Sequence, residues 1–106
     1  MNNMGFVYLI GEVENEGKYK IGSTRGKSVS NRLKQLQTGN SSELFVKSAY
    51  ETNKPFKLET MLHNHFKNKS LIGEWFQLDE ADVNDFVNTC DKFQGIIKIL
   101  KDNPFF

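Results

Sequence analysis

The sequence predicts one small domain of the mixed α/β (α+β) class over residues 1–106, with helices flanking a small antiparallel sheet. Two segments near the N-terminus are rich in β-branched and aromatic residues, which is typical of strands. Several later segments repeat apolar residues at helical spacing. A chain of 106 residues, 38% of them hydrophobic, is long enough for one core and too short for two.

The first two elements are interpreted as a β-hairpin. Its strands are residues 5–10 and 18–23, and the polar residues 11–17 link them. If Tyr8 lies opposite Lys20, one face of the hairpin is wholly apolar and the other is mixed. A shift of one residue would place Lys20 among the apolar side chains. The apolar face then consists of Val7, Leu9, Tyr19 and Ile21.

A helix and a third strand are expected next. Ser28 or Ser30 can cap the helix, and Gly39 ends it. Arg32 lies beside the apolar stripe of this helix. Residues 44–50 are then predicted to form a strand. The stripe itself consists of Val29, Leu33 and Leu36.

Pro55 fits the first turn of a second helix. Its buried stripe is predicted to contain Leu58, Leu62 and Phe66. Glu59 and His63 are four residues apart and share one flank of this stripe, whereas His65 lies on the other flank.

The last part of the chain is predicted to hold an extended anchor and a third helix. Residues 73–76 form the anchor, with Trp75 and Phe76 preferred as core residues, because stacking on a nucleobase would require exposure. Asp79 can cap the helix, and Gly95 is expected to interrupt it. The apolar positions of this helix are Val83, Phe86, Val87 and Cys90.

Charge is distributed unevenly, although the net charge is only +1. Residues 17–42 contain six basic and no acidic side chains, and residues 78–91 contain five acidic and no basic ones. The basic run is suited to a surface that binds phosphates. The alternative is that both charged runs are ordinary solvated faces. The candidate DNA contacts of the basic run are Lys18, Lys27 and Lys34.

The single Cys90 has no partner for a disulfide within the chain, which favours an intracellular location. We also expect a soluble protein, because the apolar runs are far shorter than a membrane span and no signal peptide opens the chain.

Four polar residues lie near the places where predicted elements meet the sheet: Tyr8, Lys20, Arg32 and Glu59. Hydrolysis of a phosphodiester needs a base, a cation for the phosphate and usually a divalent metal. Arginine binds phosphate bidentately, and magnesium needs few protein carboxylates. These residue types therefore indicate phosphoryl chemistry.

The order of these residues resembles the GIY-YIG nuclease superfamily. The resemblance rests on Phe6-Val7-Tyr8, then Lys20-Ile21-Gly22, then Arg32 and Glu59 in successive helices. Residues 58–63 and the Gly-Glu-Trp-Phe motif at 73–76 resemble the branch common in phage and virus genomes. The resemblance covers residues 5–78 and leaves 79–106 as a helical extension. It implies three antiparallel strands flanked by helices and metal-dependent cleavage of DNA.

The resemblance also implies a role for each matching residue. Tyr8 would act as general base or orient the attacking water, and Arg32 would hold the scissile phosphate. Glu59 would bind Mg²⁺ or Mn²⁺, with no small-molecule cofactor. Lys20 replaces the family's second tyrosine and would lower the pKa of the Tyr8 phenol. His63 could relay a proton or orient water, or be a hydrogen-bonded structural histidine.

Two details of the site remain alternatives. Gly22 matches the family glycine and would let a phosphate approach, although a lone glycine in a strand often marks a bulge. Lys20 is preferred over Tyr19 for the second half-motif, because Tyr19 would have to leave the apolar face.

The sequence leaves three functions open. The first is a metal-dependent endonuclease that acts on DNA. The second is a DNA-binding module with the same fold and little catalytic power, which the lysine at position 20 makes credible. The third is a protein-interaction domain.

Overall fold

A computed structural model describes residues 4–26 and 28–100 of the chain. The strands are β1 (Gly5–Glu12), β2 (Asn15–Thr24), β3 (Leu44–Thr52) and β4 (Trp75–Gln77). The helices are α1 (Val29–Thr38), α2 (Pro55–His65), α3 (Glu80–Asn84) and α4 (Phe86–Leu100), with a short 3-10 helix at Lys67–Lys69. The strands form one antiparallel sheet in the order β3-β1-β2-β4. The α/β (α+β) fold class is therefore confirmed.

The sheet has a fourth strand in addition to the three that the resemblance implied. The segment predicted as an extended anchor pairs with β2 as the edge strand β4, and Lys20 lies opposite Trp75. Phe76 is buried in the core. Strand β4 thereby brings the residue before it, Glu74, to the side of β2.

The hairpin register differs from the prediction by two residues. Tyr8 lies opposite Gly22, and Lys20 lies opposite Ile10. Both strands continue into the residues predicted as a linker, so that only Val13 and Glu14 separate them. A shift of two residues keeps each side chain on its predicted face, because side chains alternate along a strand.

The two faces of the sheet pack against different helices. On one face, α2, α3 and α4 cover Val7, Leu9 and Ile21. On the other face, α1 packs over a smaller cluster that includes Tyr8 and Ile10, with Trp75 at its margin. Buried residues of α4 belong to the larger cluster, so this helix is part of the main core.

The predicted third helix is two helices. It breaks at Asp85, and Gly95 lies within α4 without interrupting it. The buried stripe of α4 runs through Phe86, Cys90, Phe93 and Ile97, and Val87 is exposed. Val83 and the buried residues of α4 keep one helical spacing across the break, so the periodicity of apolar residues gave no sign of it.

The first two helices begin and end near the predicted residues. Ser28 occupies the N-cap position of α1 without a capping side-chain hydrogen bond, and Gly39 follows the helix. Pro55 opens α2, which buries Leu58 and Leu62.

No helix within residues 4–26 and 28–100 has the length and the apolar character that a membrane span requires.

Candidate active site

Two carboxylates from separate parts of the chain meet beside β2. Glu59 lies on α2, and Glu74 immediately precedes β4. An oxygen of each lies within 4.8 Å of the other and of a ring nitrogen of His63. The hydroxyl of Ser23 on β2 donates a hydrogen bond to Glu59. We call Glu59 and Glu74 the acid pair. The sequence predicted Glu59 as a site residue and missed Glu74.

The surroundings shift the pKa values of the two carboxylates in opposite directions. Burial raises the pKa of Glu59, and contact with Glu74 raises it further against the opposing effect of the Ser23 hydroxyl. Burial would also raise the pKa of Glu74, but hydrogen bonds with Glu59 and Lys20 lower it overall. Two carboxylates this close favour a single shared proton, as like charges cannot easily coexist. A divalent cation can replace that proton.

Lys20 forms an ion pair with Glu74, one of the two carboxylates of the acid pair. Its Nζ lies 3.2 Å from Oε1 of Glu74, and its side chain is mostly buried. The same Nζ lies 5.7 Å from the centre of the Trp75 ring. The ammonium therefore favours the ionised form of Glu74, whereas the sequence predicted that it would act on Tyr8.

His63 is held in place by the main chain. Its Nε2 lies 2.7 Å from the carbonyl oxygen of Ile21, and because a carbonyl can only accept, this nitrogen donates the hydrogen bond. The same nitrogen is 3.5 Å from Oε2 of Glu59, and the ring packs edge-on against Phe76. With Nε2 protonated, the carboxylates of the acid pair are the better metal ligands. The geometry is that of a hydrogen-bonded structural histidine.

Tyr8 and Arg32 form the second part of the site. Nε of Arg32, on α1, donates to the Tyr8 hydroxyl at 3.3 Å, and Nη1 donates to Gln35 at 3.2 Å. The negative charges of Glu59 and Glu74 act on both Tyr8 and Arg32, so the two parts of the site lie within electrostatic reach.

The pKa of the Tyr8 phenol is raised, whereas the sequence predicted that it would be lowered. Burial is the main cause, and the charges of Glu74 and Glu59 act in the same direction. The hydrogen bond from Arg32 opposes this shift without cancelling it. The phenol therefore carries its proton at neutral pH.

Gly22 makes room for the ring of Tyr8. A Cβ at this position would lie 2.5 Å from the Tyr8 hydroxyl oxygen, which is far inside van der Waals contact. The pairing of β1 with β2 is regular at Gly22, and the irregularity in the hairpin lies at Gly11 and Glu12. Gly22 is therefore not a bulge residue.

The predicted DNA contacts occupy different settings. Nζ of Lys18 lies 3.2 Å from Oε1 of the buried Glu12 and 4.9 Å from the centre of the Trp75 ring. Lys34 is exposed on α1. Lys27 lies outside the described residues.

Comparison with known proteins identifies the family of the chain. No curated protein and no solved structure gives a significant match. The T5orf172 domain model matches residues 5–91, which include every element from β1 to α3 and the start of α4. This domain is found in phage and bacterial nuclease-like proteins. The match covers most of the length of the chain and all of the site described above. The chain therefore belongs to the T5orf172 domain family.

Proposed function

We propose that this protein is a divalent-metal-dependent DNA endonuclease of the GIY-YIG type. The observation that carries the proposal is the acid pair, Glu59 and Glu74, within electrostatic reach of the hydrogen-bonded Tyr8 and Arg32. Ligands for a cation and a group that binds phosphate are two of the requirements of metal-assisted phosphodiester hydrolysis.

The acid pair fits magnesium or manganese. Carboxylate oxygens are hard ligands, and Mg²⁺ keeps most of its waters, so that two carboxylates are sufficient. Burial and the neighbouring Glu74 raise the pKa of Glu59, and both effects favour a proton or a cation at this carboxylate. A cation bound there would neutralise charge on the phosphate as its P–O bond breaks.

The remaining residues hold the reactants. Arg32 presents guanidinium nitrogens to the scissile phosphate, and its bond to Tyr8 fixes its orientation. Tyr8 orients the attacking water, since its protonated phenol is a poor base at neutral pH. A cation held by Glu59 and Glu74 would lower the pKa of that water, so that the water would lose its proton to solvent. Lys20 and His63 are positioning residues that hold Glu74 and Glu59 in place.

The direct test is cleavage of plasmid, branched and single-stranded DNA by the purified protein with Mg²⁺ or Mn²⁺. We expect Glu59→Gln and Glu74→Gln each to reduce cleavage by about 100-fold or more, since each removes a charged ligand. Glu14→Gln, in the exposed turn between β1 and β2, is the matched control and should leave cleavage unchanged. Wild-type rates in both acid-pair variants would refute the proposal.

A DNA-binding module without catalysis is the second candidate. The observation in its favour is the raised pKa of Tyr8, which leaves the protein without a ready phenolate base. This function predicts no cleavage with any divalent cation. It also predicts an affinity for DNA that falls linearly with the logarithm of salt concentration, with a slope set by the number of phosphates contacted.

A further inference from the structure

An apolar groove lies beside Trp75, the residue that follows Glu74 of the acid pair. It has a volume of about 510 Å³ and is lined by Lys18, Leu71, Ile72 and Trp75. Ile72 is 84% exposed and Leu71 is 46% exposed, although both are large aliphatic residues. Neither contributes to the core clusters, so their placement has no structural explanation within the described part of the chain.

Trp75 forms a fixed wall of this groove. Its backbone is held at both ends of the preceding turn, because its N–H donates to the carbonyl of Ile72 at 3.1 Å and its carbonyl accepts from Leu71 at 2.8 Å. Its ring packs in part against the smaller core cluster, and the rest faces the groove. Gly73 completes the turn with a φ of 61°, in the left-handed region that favours glycine.

Two lysines lie beside the Trp75 ring, and each is also paired with a carboxylate. The ammonium groups of Lys18 and Lys20 lie 4.9 Å and 5.7 Å from its centre. Lys20 also contacts Glu74, so this lysine links the Trp75 ring to the acid pair. An aromatic ring with aliphatic neighbours and flanking cations has the chemistry that binds a nucleobase and its phosphates.

We propose that this groove binds an unpaired nucleobase of a DNA strand, next to the phosphodiester presented to the acid pair. This inference rests on the proposed function and adds its substrate class. Bases within a duplex are stacked on both faces, so a base can enter the groove only from a single strand, a flap or a branch point. The preferred substrate is therefore DNA with unpaired nucleotides at the cleaved position.

Intrinsic fluorescence tests the proposal directly, because Trp75 is the sole tryptophan of the chain. The full-length protein is titrated in EDTA, which prevents metal-dependent cleavage, with a short oligothymidylate. We expect saturable quenching. An abasic oligonucleotide of equal length carries the same phosphates and should bind roughly tenfold more weakly, since it has no base to stack on the Trp75 ring. A blunt duplex should bind more weakly than the single strand.

Ile72→Ala and Ile99→Ala form a matched pair of variants. Both isoleucines are highly exposed, at 84% and 79%, so neither substitution should unfold the protein. Ile72→Ala should weaken oligothymidylate binding by about fivefold, through loss of apolar contact with the base. Ile99→Ala, on α4 and outside the groove lining, should leave binding unchanged.

The outcomes separate this inference from the nuclease proposal. Equal binding of oligothymidylate and abasic strand, equal binding of duplex and single strand, no quenching by any DNA, or no effect of Ile72→Ala would each overturn the groove assignment. Cleavage that persists in such a case would leave the nuclease proposal standing. Base-dependent quenching in a protein that never cleaves DNA would support the groove and refute the nuclease.

Discussion

Tyr8 lies over Gly22, its direct partner on β2, and its hydroxyl accepts the hydrogen bond of Arg32. A methyl group at position 22 would stand 2.5 Å from the hydroxyl oxygen and 2.7 Å from Cζ of the ring. The ring cannot retreat easily, because Tyr8 is only 1% exposed and is packed under α1. The absent side chain of Gly22 therefore determines where the phenol and the guanidinium meet.

Gly22→Ala is expected to displace the Tyr8 ring and lower the free energy of unfolding by about 1–3 kcal/mol, as other overpacked cores do. DNA cleavage should fall as well, because Arg32 loses its oriented partner. Urea denaturation measures the first effect. Gly39→Ala is the control, since no heavy atom lies within 4 Å of its added Cβ. Identical urea midpoints for the two variants would contradict this account of Gly22.

The role of Tyr8 can be read from the pH dependence of cleavage by the wild type relative to Tyr8→Phe. Burial raises the pKa of the phenol, so at pH 7–9 nearly all of it is protonated. If a neutral phenol orients water, the ratio of the two rates stays constant across this range. If phenolate were the base, the ratio would rise about tenfold per pH unit below the pKa. Taking the ratio cancels effects of pH on the metal and the water.

Side-chain positions within the site were only partly predictable from the sequence. Glu59, Arg32 and Tyr8 could be proposed as candidates because they occupy matching places in an ordered motif. Glu74 could not, because its approach to Glu59 depends on β4 pairing with β2, and a three-residue strand leaves almost no periodic pattern. The prediction that Lys20 acts on Tyr8 was wrong for the same reason, because the contact of Lys20 with Glu74 also depends on β4.

At the scale of elements, the alternation of apolar residues predicted the faces of the hairpin correctly and its register incorrectly. Face assignment depends only on whether a residue number is odd or even, whereas register also depends on where the turn lies. The polar residues 11–17 suggested a long linker, but most of them extend the two strands. A polar, exposed hairpin end has the composition of a loop, and composition alone could not distinguish the two.

Helix α4 tolerates a glycine in its interior. Gly95 was expected to interrupt the helix, but apolar contacts on both sides of it hold the helix together, through Cys90, Phe93 and Ile97. Packing outweighs the intrinsic cost of one glycine, which is about 1 kcal/mol.

Gly95→Ala should therefore stabilise the protein. An added Cβ meets no heavy atom within 4 Å, and the backbone of Gly95 is helical with no positive φ. Alanine reduces the conformational freedom of the unfolded chain, so the free energy of unfolding should rise by about 0.5–1 kcal/mol. Thermal and urea denaturation measure the change. A lower melting temperature would show that position 95 is not open space.

Over the whole molecule, the two charged runs of the sequence serve different purposes. The basic run follows β2 and α1, and it contributes Lys20 and Arg32 to the site. The acidic run serves local structure in part, since Asp79 and Asp82 form the capping box of α3 and both contact Lys69. The basic run therefore lies on elements that carry the proposed phosphate-binding residues, and two of the five acids in the acidic run have a structural role.

Cys90 and Tyr50 keep their protons to a higher pH in the folded protein than in the unfolded chain. Burial, with a smaller effect of the charge on Asp91, raises the pKa of the Cys90 thiol to about 12. The pKa of Tyr50 is raised by burial and by the hydrogen bond that its hydroxyl donates to Asp91 at 2.6 Å. In the unfolded chain these groups ionise at about pH 8.5 and pH 10.

Stability should accordingly fall as the pH rises above about 9, because the unfolded state then binds fewer protons than the folded state. Each such proton contributes a slope of up to about 1.4 kcal/mol per pH unit. Cys90→Ala removes one of them, so its free energy of unfolding should decline less steeply with pH than that of the wild type, even if its value at pH 7 is lower. Urea denaturation from pH 7 to about pH 11 measures both slopes. Parallel curves would mean that the Cys90 thiol ionises as easily in the folded protein as in the unfolded chain, and that α4 does not shield it.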